Sequence, residues 1–359
     1  MKSVTYPFII LSALILSACE DGDGASGATP DEPLATFFKP IPDEPVYPED
    51  NDYSDIKAEL GELLFWDPIL SGNQNVACAT CHHPNFAWAD ERAFSVGSDG
   101  VGLGSDRVGF EETGMHSPSI VNVAFTGMGL EEDTAFVSGG YFWDLRANTL
   151  EAQAVQPIKS DVEMRGFAIA EEDIFPIIVE RLSAIPEYVE YFSQAFDEEP
   201  TITEENIAKA IATFQRTVIT QRTRFDDYLD GDETALTPRE ITGLNKFVNG
   251  GCARCHSGPL LSDNTIHEDQ PVITSADAVR TPSLRNVALT APYMHDGSRA
   301  TLRSAVSLYE DRGDLEVVLD DDDFGDITVF LNTLTDETFY RGVPASVPSG
   351  LKVGGDIDL

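Results

Sequence analysis

Two short cysteine-containing segments constrain this chain more than any other feature of its sequence. Both have the pattern Cys-x-x-Cys-His: Cys78-Ala79-Thr80-Cys81-His82 (the first motif) and Cys252-Ala253-Arg254-Cys255-His256 (the second motif). This pattern is the attachment sequence of a c-type haem. Residues three apart share one face of a helical turn, so both thiols can reach one porphyrin edge and the histidine can ligate the iron. The sequence therefore predicts two covalently bound haems.

Two other chemistries use paired cysteines and have to be weighed against haem. A structural zinc site needs four protein ligands around a closed ion. A thioredoxin-like redox pair needs no histidine after the second cysteine. Two complete copies of the motif in a chain with an export signal favour haem.

The N-terminus has the features of an exported lipoprotein. Lys2 precedes an apolar stretch that ends at Leu16-Ser17-Ala18-Cys19. This order predicts a signal peptide over residues 1–18, and the last four residues resemble the bacterial lipobox, in which Cys19 is lipidated. An ordinary cleaved signal peptide with an incidental cysteine is the alternative. We expect a lipoprotein on the periplasmic side of a bacterial membrane, or otherwise a soluble periplasmic protein.

Composition divides the remaining chain and limits its partners. Residues 19–53 are acidic and rich in Pro and Gly, which predicts a flexible tether. The rest is long enough for two domains, expected at 54–220 and 221–345, followed by a tail at 346–359. The net charge of −39 disfavours nucleic acid and anionic membrane and would suit a basic protein partner, although it also serves solubility.

Apolar spacing and capping residues predict helices along most of the chain. Ser54, Thr203 and Thr237 are expected helix caps, and a further helix is expected over 150–158. The segment 222–232 is interpreted as a joint between domains. Little of the sequence favours strands. The predicted fold is mostly α, with two cytochrome c-like helical domains that are related in plan but show no sequence repeat.

Beyond the two motifs, three blocks of sequence resemble the bacterial di-haem cytochrome c peroxidase and MauG family. The resemblance spans about Tyr53 to Val343. The blocks are Tyr141–Ala147 with its continuation to Met164, Asn206–Arg216 with Phe225–Leu229, and Thr281–Val287 with its continuation to Gly297.

The first block carries the chemistry that the resemblance implies. Trp143 matches the tryptophan that passes electrons between the two haems of the family. Gln153 and Glu163 match the pair at the peroxide-binding haem. There, a carboxylate moves a proton between the peroxide oxygens, and the amide orients the peroxide by hydrogen bonds. Core packing of Trp143 and a solvated Glu163 are the alternatives.

The sixth ligand of the second haem separates the branches of the family. Where the peroxidases have a methionine, this chain has Tyr309, which resembles the MauG-like proteins. Phenolate favours oxidised iron, whereas a thioether raises the haem potential. Met294 is the one nearby competitor, and no methionine follows it.

A calcium ion between the haems is the least certain implication of the resemblance. The carbonyl groups of Thr290 and Pro292 are present, but His116 stands where the family usually has an asparagine ligand. Imidazole is a poor ligand for a hard cation. Only His83 and His116 follow the first motif in its loop, and neither is well placed to cap the first haem.

We therefore predict a di-haem c-type oxidoreductase that uses hydrogen peroxide at the N-terminal haem. In the MauG-like version it oxidises a partner protein through Trp143 and the C-terminal haem. The alternative is a cytochrome c peroxidase supplied with electrons by a small cytochrome or copper protein. A non-catalytic electron carrier is a further alternative, but it would not need Gln153 or Glu163.

Overall fold

The computed structural model describes residues 33–129, 140–267, 278–309 and 318–357, and the predicted signal peptide and Cys19 lie outside these ranges. Within them the chain is mostly helical, and pairing between extended segments is limited to isolated bridges. The prediction of a mostly α fold is therefore confirmed. The described α-helices are α1 (Asp55–Trp66), α2 (Cys78–Cys81), α3 (Leu150–Ala154), α4 (Gln156–Lys159), α5 (Glu171–Ser183), α6 (Pro186–Ala195), α7 (Glu204–Thr217), α8 (Arg224–Leu229), α9 (Pro238–Asn249), α10 (Leu302–Val306) and α11 (Asp321–Leu331). None of these described helices is long and apolar enough to cross a membrane.

The predicted helix caps are confirmed. The side chains of Ser54, Thr203 and Thr237 each accept a hydrogen bond from a backbone N–H three residues later. The helix expected over 150–158 is instead split into α3 and α4. Pro157 lies in the first turn of α4, where its missing N–H leaves no helical bond unmade.

Two hydrophobic cores organise the described residues. The first is built on α1, α5, α6 and α7, and the second on α8, α9 and α11. Each contains a close helix crossing at a glycine. A Cβ added at Gly61 of α1 would lie 2.0 Å from the Ala210 carbonyl oxygen of α7, and one at Gly243 of α9 would lie 2.0 Å from that of Asp326 in α11. The two helix pairs are therefore built in the same way.

The sequence contains an internal repeat, although none was expected. Residues 118–126 and 282–290 share the pattern Pro-Ser-x-x-Asn-Val-Ala-x-Thr. In both, the asparagine has a positive φ, 63° at Asn122 and 58° at Asn286, and a short 3-10 helix follows. Their N–H groups donate to Val218 after α7 and to Leu334 after α11. Sequence and backbone thus identify these segments as equivalent parts of two similar units.

A second pair of segments repeats in the same order. Residues 141–150 and 293–302 both begin with tyrosine, have aspartate at the fourth position and end with Thr-Leu. An isolated bridge joins the first residue of each segment to the seventh. Thr149 and Thr301 then cap α3 and α10. In this alignment Trp143 and His295 occupy equivalent positions.

Three segments that were expected to connect or flank the domains also contribute side chains to the cores of the described residues. Part of the supposed tether packs into the protein: Phe38 is buried in the second core, and the Ile41 N–H donates to Asp226. The supposed joint contains α8, whose Phe225 is also buried there. Val347 of the tail belongs to the first core. Short segments without a core of their own can still bury apolar side chains in a neighbouring core.

One buried ion pair joins the repeat segment at residues 282–290 to α8. Both terminal nitrogens of the Arg285 guanidinium donate to Asp226, over 2.6 and 2.7 Å, and the two side chains are 1% and 0% exposed. Burial alone would raise the pKa of Asp226. The hydrogen bonds and charge of Arg285 outweigh it and lower the pKa from 3.8 to about 2.

We expect Arg285→Leu to lower the free energy of unfolding by about 3–5 kcal/mol, because it leaves the Asp226 charge buried without its partner. Arg239→Leu is the matched control, since Arg239 bonds Asp326 but is 66% exposed, and it should cost less than about 1 kcal/mol. Because folding lowers the pKa of Asp226, its stabilisation is complete above its ordinary pKa and is lost between about pH 4 and 2. Denaturant titration of both variants, repeated at low pH, measures these effects; equal losses would contradict the prediction.

Candidate functional site

The first motif forms the short helix α2. The Ala77 N–H donates to the Thr80 side chain, whose hydroxyl donates in turn to the Gly354 carbonyl near the C-terminus. Burial raises the pKa of the Cys78 and Cys81 thiols to about 12. Both thiols are therefore protonated at neutral pH in the protein alone, which does not suit a nucleophile.

The second motif begins with a 3-10 turn, Cys252–Arg254, just after α9. Gly251 precedes it with a φ of 85°, a conformation that favours glycine and that redirects the chain after the helix. Burial raises the pKa of Cys252 to about 12 as well. None of the four described cysteines forms a disulfide.

The histidine of each motif is oriented by a backbone carbonyl. His82 Nδ1 lies 3.3 Å from the Trp88 oxygen, and His256 Nδ1 lies 3.1 Å from the Leu261 oxygen. A carbonyl only accepts, so Nδ1 carries the proton in both rings and Nε2 keeps its lone pair. Burial lowers the pKa of both histidines, which keeps them neutral. This is the state in which histidine ligates a metal.

A large cavity of about 1310 Å³ opens beside the second motif. Small-molecule sites typically measure about 300–1000 Å³, so this space suits a ligand larger than most. Cys252, Cys255 and His256 contribute to its lining. The residues predicted around the second haem also line it: Trp143, Thr290, Pro292, Met294 and Tyr309. The donor set and the volume fit a covalently bound haem.

Glu163 lies next to the first motif. It belongs to a π-helical turn, Asp161–Arg165, that Ser160 caps. After burial, its charge contributes to raising the pKa of both Cys78 and Cys81, so the carboxylate lies within electrostatic range of their thiols. Burial raises the pKa of Glu163 itself, against the opposing effects of Ser160 and Arg146. A half-buried carboxylate with a raised pKa is suited to accept and return a proton.

Glu163 has a predicted partner, Gln153, and a nearby cation that the sequence analysis did not identify. Gln153 is half-buried on α3, in the segment that leads to the π-helical turn. Arg146 is close enough to lower the pKa of Glu163. Its guanidinium lies 3.6 Å from the centre of the Phe142 ring and donates to the side chain of Gln156. Arg146 is part of the first family-like block, but it had been given no role.

Trp143 lies at the wall of the cavity and is 9% exposed. Its indole N–H donates to the His116 carbonyl over 2.9 Å, and its own carbonyl accepts from the Arg280 N–H over 2.8 Å. The rings of Trp143 and His295 meet edge to face with centroids 6.3 Å apart. Trp143 is therefore held on both sides by residues that line the same cavity.

The two histidines of the loop after the first motif have different surroundings. His83 packs its ring against Trp66 in the first core, and burial lowers its pKa to about 4. His116 directs Nδ1 to the Arg92 carbonyl over 2.9 Å. Burial also lowers the pKa of His116, and a charge on His116 would lower the pKa of His82. His116 thus lies within electrostatic range of His82, the histidine of the first motif.

Comparisons with known proteins agree on one family. The model of the di-haem cytochrome c peroxidase family matches residues 55–234. A cytochrome c551 peroxidase from Pseudomonas aeruginosa is 32% identical over 87% of this chain and 89% of its own length. The methylamine utilization protein MauG of Methylorubrum extorquens is 34% identical over 75% of this chain and 72% of its own.

A solved structure gives the same result for the fold. A MauG-like protein associated with microbial copper homeostasis superposes with a TM-score of 0.67 at 29% identity. The match covers 86% of this chain and 95% of that protein. Peroxidases and MauG proteins both match this chain, at similar sequence identities.

Proposed function

Because this chain belongs to the di-haem cytochrome c peroxidase and MauG family, we propose that it uses hydrogen peroxide to oxidise a partner protein in the MauG-like manner. The Glu163 carboxylate is the observation that carries this proposal: it lies on a π-helical turn, its pKa is raised by burial, and it acts electrostatically on both thiols of the first motif. The signal sequence ending at Cys19 supports a lipid-anchored protein on the periplasmic side of the membrane.

The cysteines and histidines of both motifs would hold the haems. Cys78 and Cys81 would attach the first haem and His82 would ligate its iron; Cys252, Cys255 and His256 would do the same for the second. The haems, when bound, supply the iron at which peroxide is reduced and oxidising equivalents are stored. The neutral Nε2 of each motif histidine suits it as a ligand.

Glu163 and Gln153 act on the peroxide. A carboxylate oxygen of Glu163 takes the proton from one peroxide oxygen and returns it to the oxygen that leaves as water. The Gln153 amide orients the peroxide by hydrogen bonds. Each peroxide consumes two electrons and two protons and gives two waters, and the electrons come from the partner protein. The raised pKa of Glu163 supports this role.

Trp143 carries electrons between the two haem sites. Its indole is buried at the cavity wall, and hydrogen bonds on both sides hold it. A large, polarizable ring held in a low-dielectric wall is suited to this task. Tyr309 ligates the second haem in this proposal. It follows α10, just as the segment leading to Glu163 follows the equivalent α3.

A plain cytochrome c peroxidase is the second candidate, and one observation favours it. Met294 lines the same cavity as Tyr309 and could supply the thioether ligand that such enzymes use. The P. aeruginosa relative also matches over more of its length than MauG does. A small cytochrome or a copper protein would then supply the electrons. The acidic chain suits a basic partner in either case.

The absorption and electron paramagnetic resonance spectra of the ferric protein test the state of the first haem site. We expect one high-spin and one low-spin haem in the protein as isolated. The physical reason is that His83 is buried in the first core and His116 bonds Arg92 near His82, so neither histidine is placed to supply a sixth ligand. A purely low-spin spectrum that becomes mixed only after partial reduction would contradict this expectation.

A further inference from the structure

His116 connects segments that are far apart in the sequence. Its N–H donates to the His295 carbonyl over 2.8 Å, and its carbonyl accepts the indole N–H of Trp143 over 2.9 Å. Its ring Nδ1 bonds the Arg92 carbonyl. The side chain is only 5% exposed. One residue therefore joins the loop after the first motif to the two rings, Trp143 and His295, that meet at the cavity.

The chain segments around His116 are packed too closely for a loose linker. A Cβ added at Gly297 would lie 2.4 Å from the Cα of Ala93, and Gly297 has a φ of 60°. Residues 92–93 and 295–297 are thus in direct backbone contact, and the His116 ring and N–H bond one residue on each side of that contact. The two bonds that His116 makes to these segments therefore have little freedom to rearrange.

The internal repeat gives His116 a counterpart in the second unit. His116 stands two residues before Pro118, and Arg280 stands two residues before the equivalent Pro282. The His116 N–H donates to His295, and the Arg280 N–H donates to Trp143 over the same distance, 2.8 Å. His295 and Trp143 are themselves equivalent, so each unit bonds the ring-bearing residue of the other.

Both counterparts also use their side chains on backbone carbonyls. The guanidinium of Arg280 donates to the Phe142 carbonyl over 2.9 Å, as the His116 ring donates to that of Arg92. Each unit is therefore connected to the other by hydrogen bonds between protein atoms. Arg280 makes these bonds from the second unit, and His116 makes them from the first.

The contacts of His116 do not fit the calcium ion that the family resemblance implies. Calcium takes oxygen ligands. The ring Nδ1 of His116 must carry a proton, because it faces the Arg92 carbonyl, and so it cannot bind a cation. What remains on the side chain is a ring nitrogen, which is a poor ligand for a hard cation. Thr290 and Pro292 line the cavity, but the His116 side chain has no oxygen atom that could bind calcium together with their carbonyl groups.

We propose that the bond from the His116 imidazole to the Arg92 carbonyl takes the place of this calcium ion: it fixes the His116 backbone, whose N–H and carbonyl group bond His295 and Trp143, without a metal. His116 is thus a positioning residue, which touches neither peroxide nor iron. The inference rests on the proposed function only in that two haems flank this bond. It does not depend on Glu163 or on the ligand of the second haem.

The test compares the haem-loaded wild-type protein with His116→Asn and His116→Phe, each in a chelator and in excess calcium. Thermal unfolding, calcium stoichiometry by isothermal titration, and the rate of electron transfer between the haems are measured. The wild type should respond to neither condition and should bind no calcium tightly. In chelator both variants should melt roughly 2–8 °C lower, because the Arg92 carbonyl loses its donor, and electron transfer should slow.

Calcium should separate the two variants. His116→Asn supplies an amide oxygen at a position that lines the same cavity as Thr290 and Pro292, so it should bind one calcium ion and recover both melting temperature and electron transfer. His116→Phe fills the space without a ligand and should not recover. Three outcomes would each overturn the proposal. The wild type could lose stability in chelator, the variants could be as stable as the wild type in chelator, or calcium could fail to restore the His116→Asn variant. If the melting and calcium results are as expected but the wild-type protein does not turn over hydrogen peroxide, that outcome would instead count against the proposed function.

Discussion

Replacing Glu163 by glutamine should lower peroxide-driven oxidation by roughly two to four orders of magnitude while leaving both haems attached. The amide keeps the size and hydrogen-bonding shape of the side chain but cannot accept the peroxide proton. Burial raises the pKa of Glu163, so wild-type activity should rise with pH through that raised value as the carboxylate forms. The variant should lose this limb of the pH profile. Steady-state peroxide consumption between about pH 4 and 8 measures both effects.

Asp161→Asn is the matched control for this result. It removes a carboxylate from the same π-helical turn, but the Asp161 side chain is partly exposed and lies 3.7 Å from Arg165. Its activity and pH profile should stay close to those of the wild type. If the control falls as far as Glu163→Gln, the effect arises from the turn and not from the proton acceptor. Near-normal turnover in Glu163→Gln would remove Glu163 from the proposed mechanism.

Much of the helical framework could be predicted because its signals are local. Ser54, Thr203 and Thr237 cap their helices through side chains only three residues from the N–H groups that they satisfy. The haem motifs are equally local, since their five residues span one turn. The sequence could not show that Phe38 and Val347 would be buried in cores built mainly from other parts of the chain.

The internal repeat was present in the sequence but was carried by loops. Its clearest marks are Asn122 and Asn286 with positive φ, followed by short 3-10 helices. Helical periodicity cannot detect such segments, because their conformation is set by single residues and not by a repeating apolar face. A search for matching patterns after each haem motif would have found them. It would also have aligned Trp143 with His295.

Residues of the candidate site could be proposed from the sequence where the residue type itself suggests the chemistry. Residues whose properties depend on their contacts in the fold could not. Glu163 could be identified from its block, but the nearby cation Arg146 could not, because that pair depends on how the turn folds back. The same holds for His116. Its type alone raised doubt about calcium, and only its bonds to Arg92, Trp143 and His295 indicate what it does instead.

Replacing Tyr309 by methionine should separate the two candidate functions. If the Tyr309 phenolate ligates the second haem, a neutral thioether in its place should raise that haem's reduction potential. The shift should be on the order of hundreds of millivolts, within the range of about 0.8 V that axial ligands span. Both haems should stay attached, because Cys252, Cys255 and His256 are unchanged. Potentiometric titration of wild type and variant measures the shift, with haem content measured in parallel.

The wild-type protein should accept hydrogen peroxide when fully oxidised and hold two oxidising equivalents long enough to oxidise a partner protein. Tyr309→Met should hold them less well, because the neutral ligand no longer stabilises the oxidised second site. Tyr191→Phe is the matched control. It removes a phenol oxygen that bonds Glu59, and Tyr191 does not line the cavity, so both the potential and the lifetime should be unchanged. Stopped-flow spectra after peroxide addition give the lifetimes.

A peroxidase with a thioether ligand behaves in the opposite way. It requires one haem to be reduced first and then turns over with a small donor protein. Rapid oxidation of a donor cytochrome only by the half-reduced wild type, with no potential shift in Tyr309→Met, would favour the plain peroxidase. Met294, on the same cavity wall, would then be the ligand to test, and Met294→Leu should lower the potential of the second haem in that case. If Tyr309 is the ligand, Met294→Leu should leave that potential near its wild-type value, so the two variants together assign the ligand and with it the function.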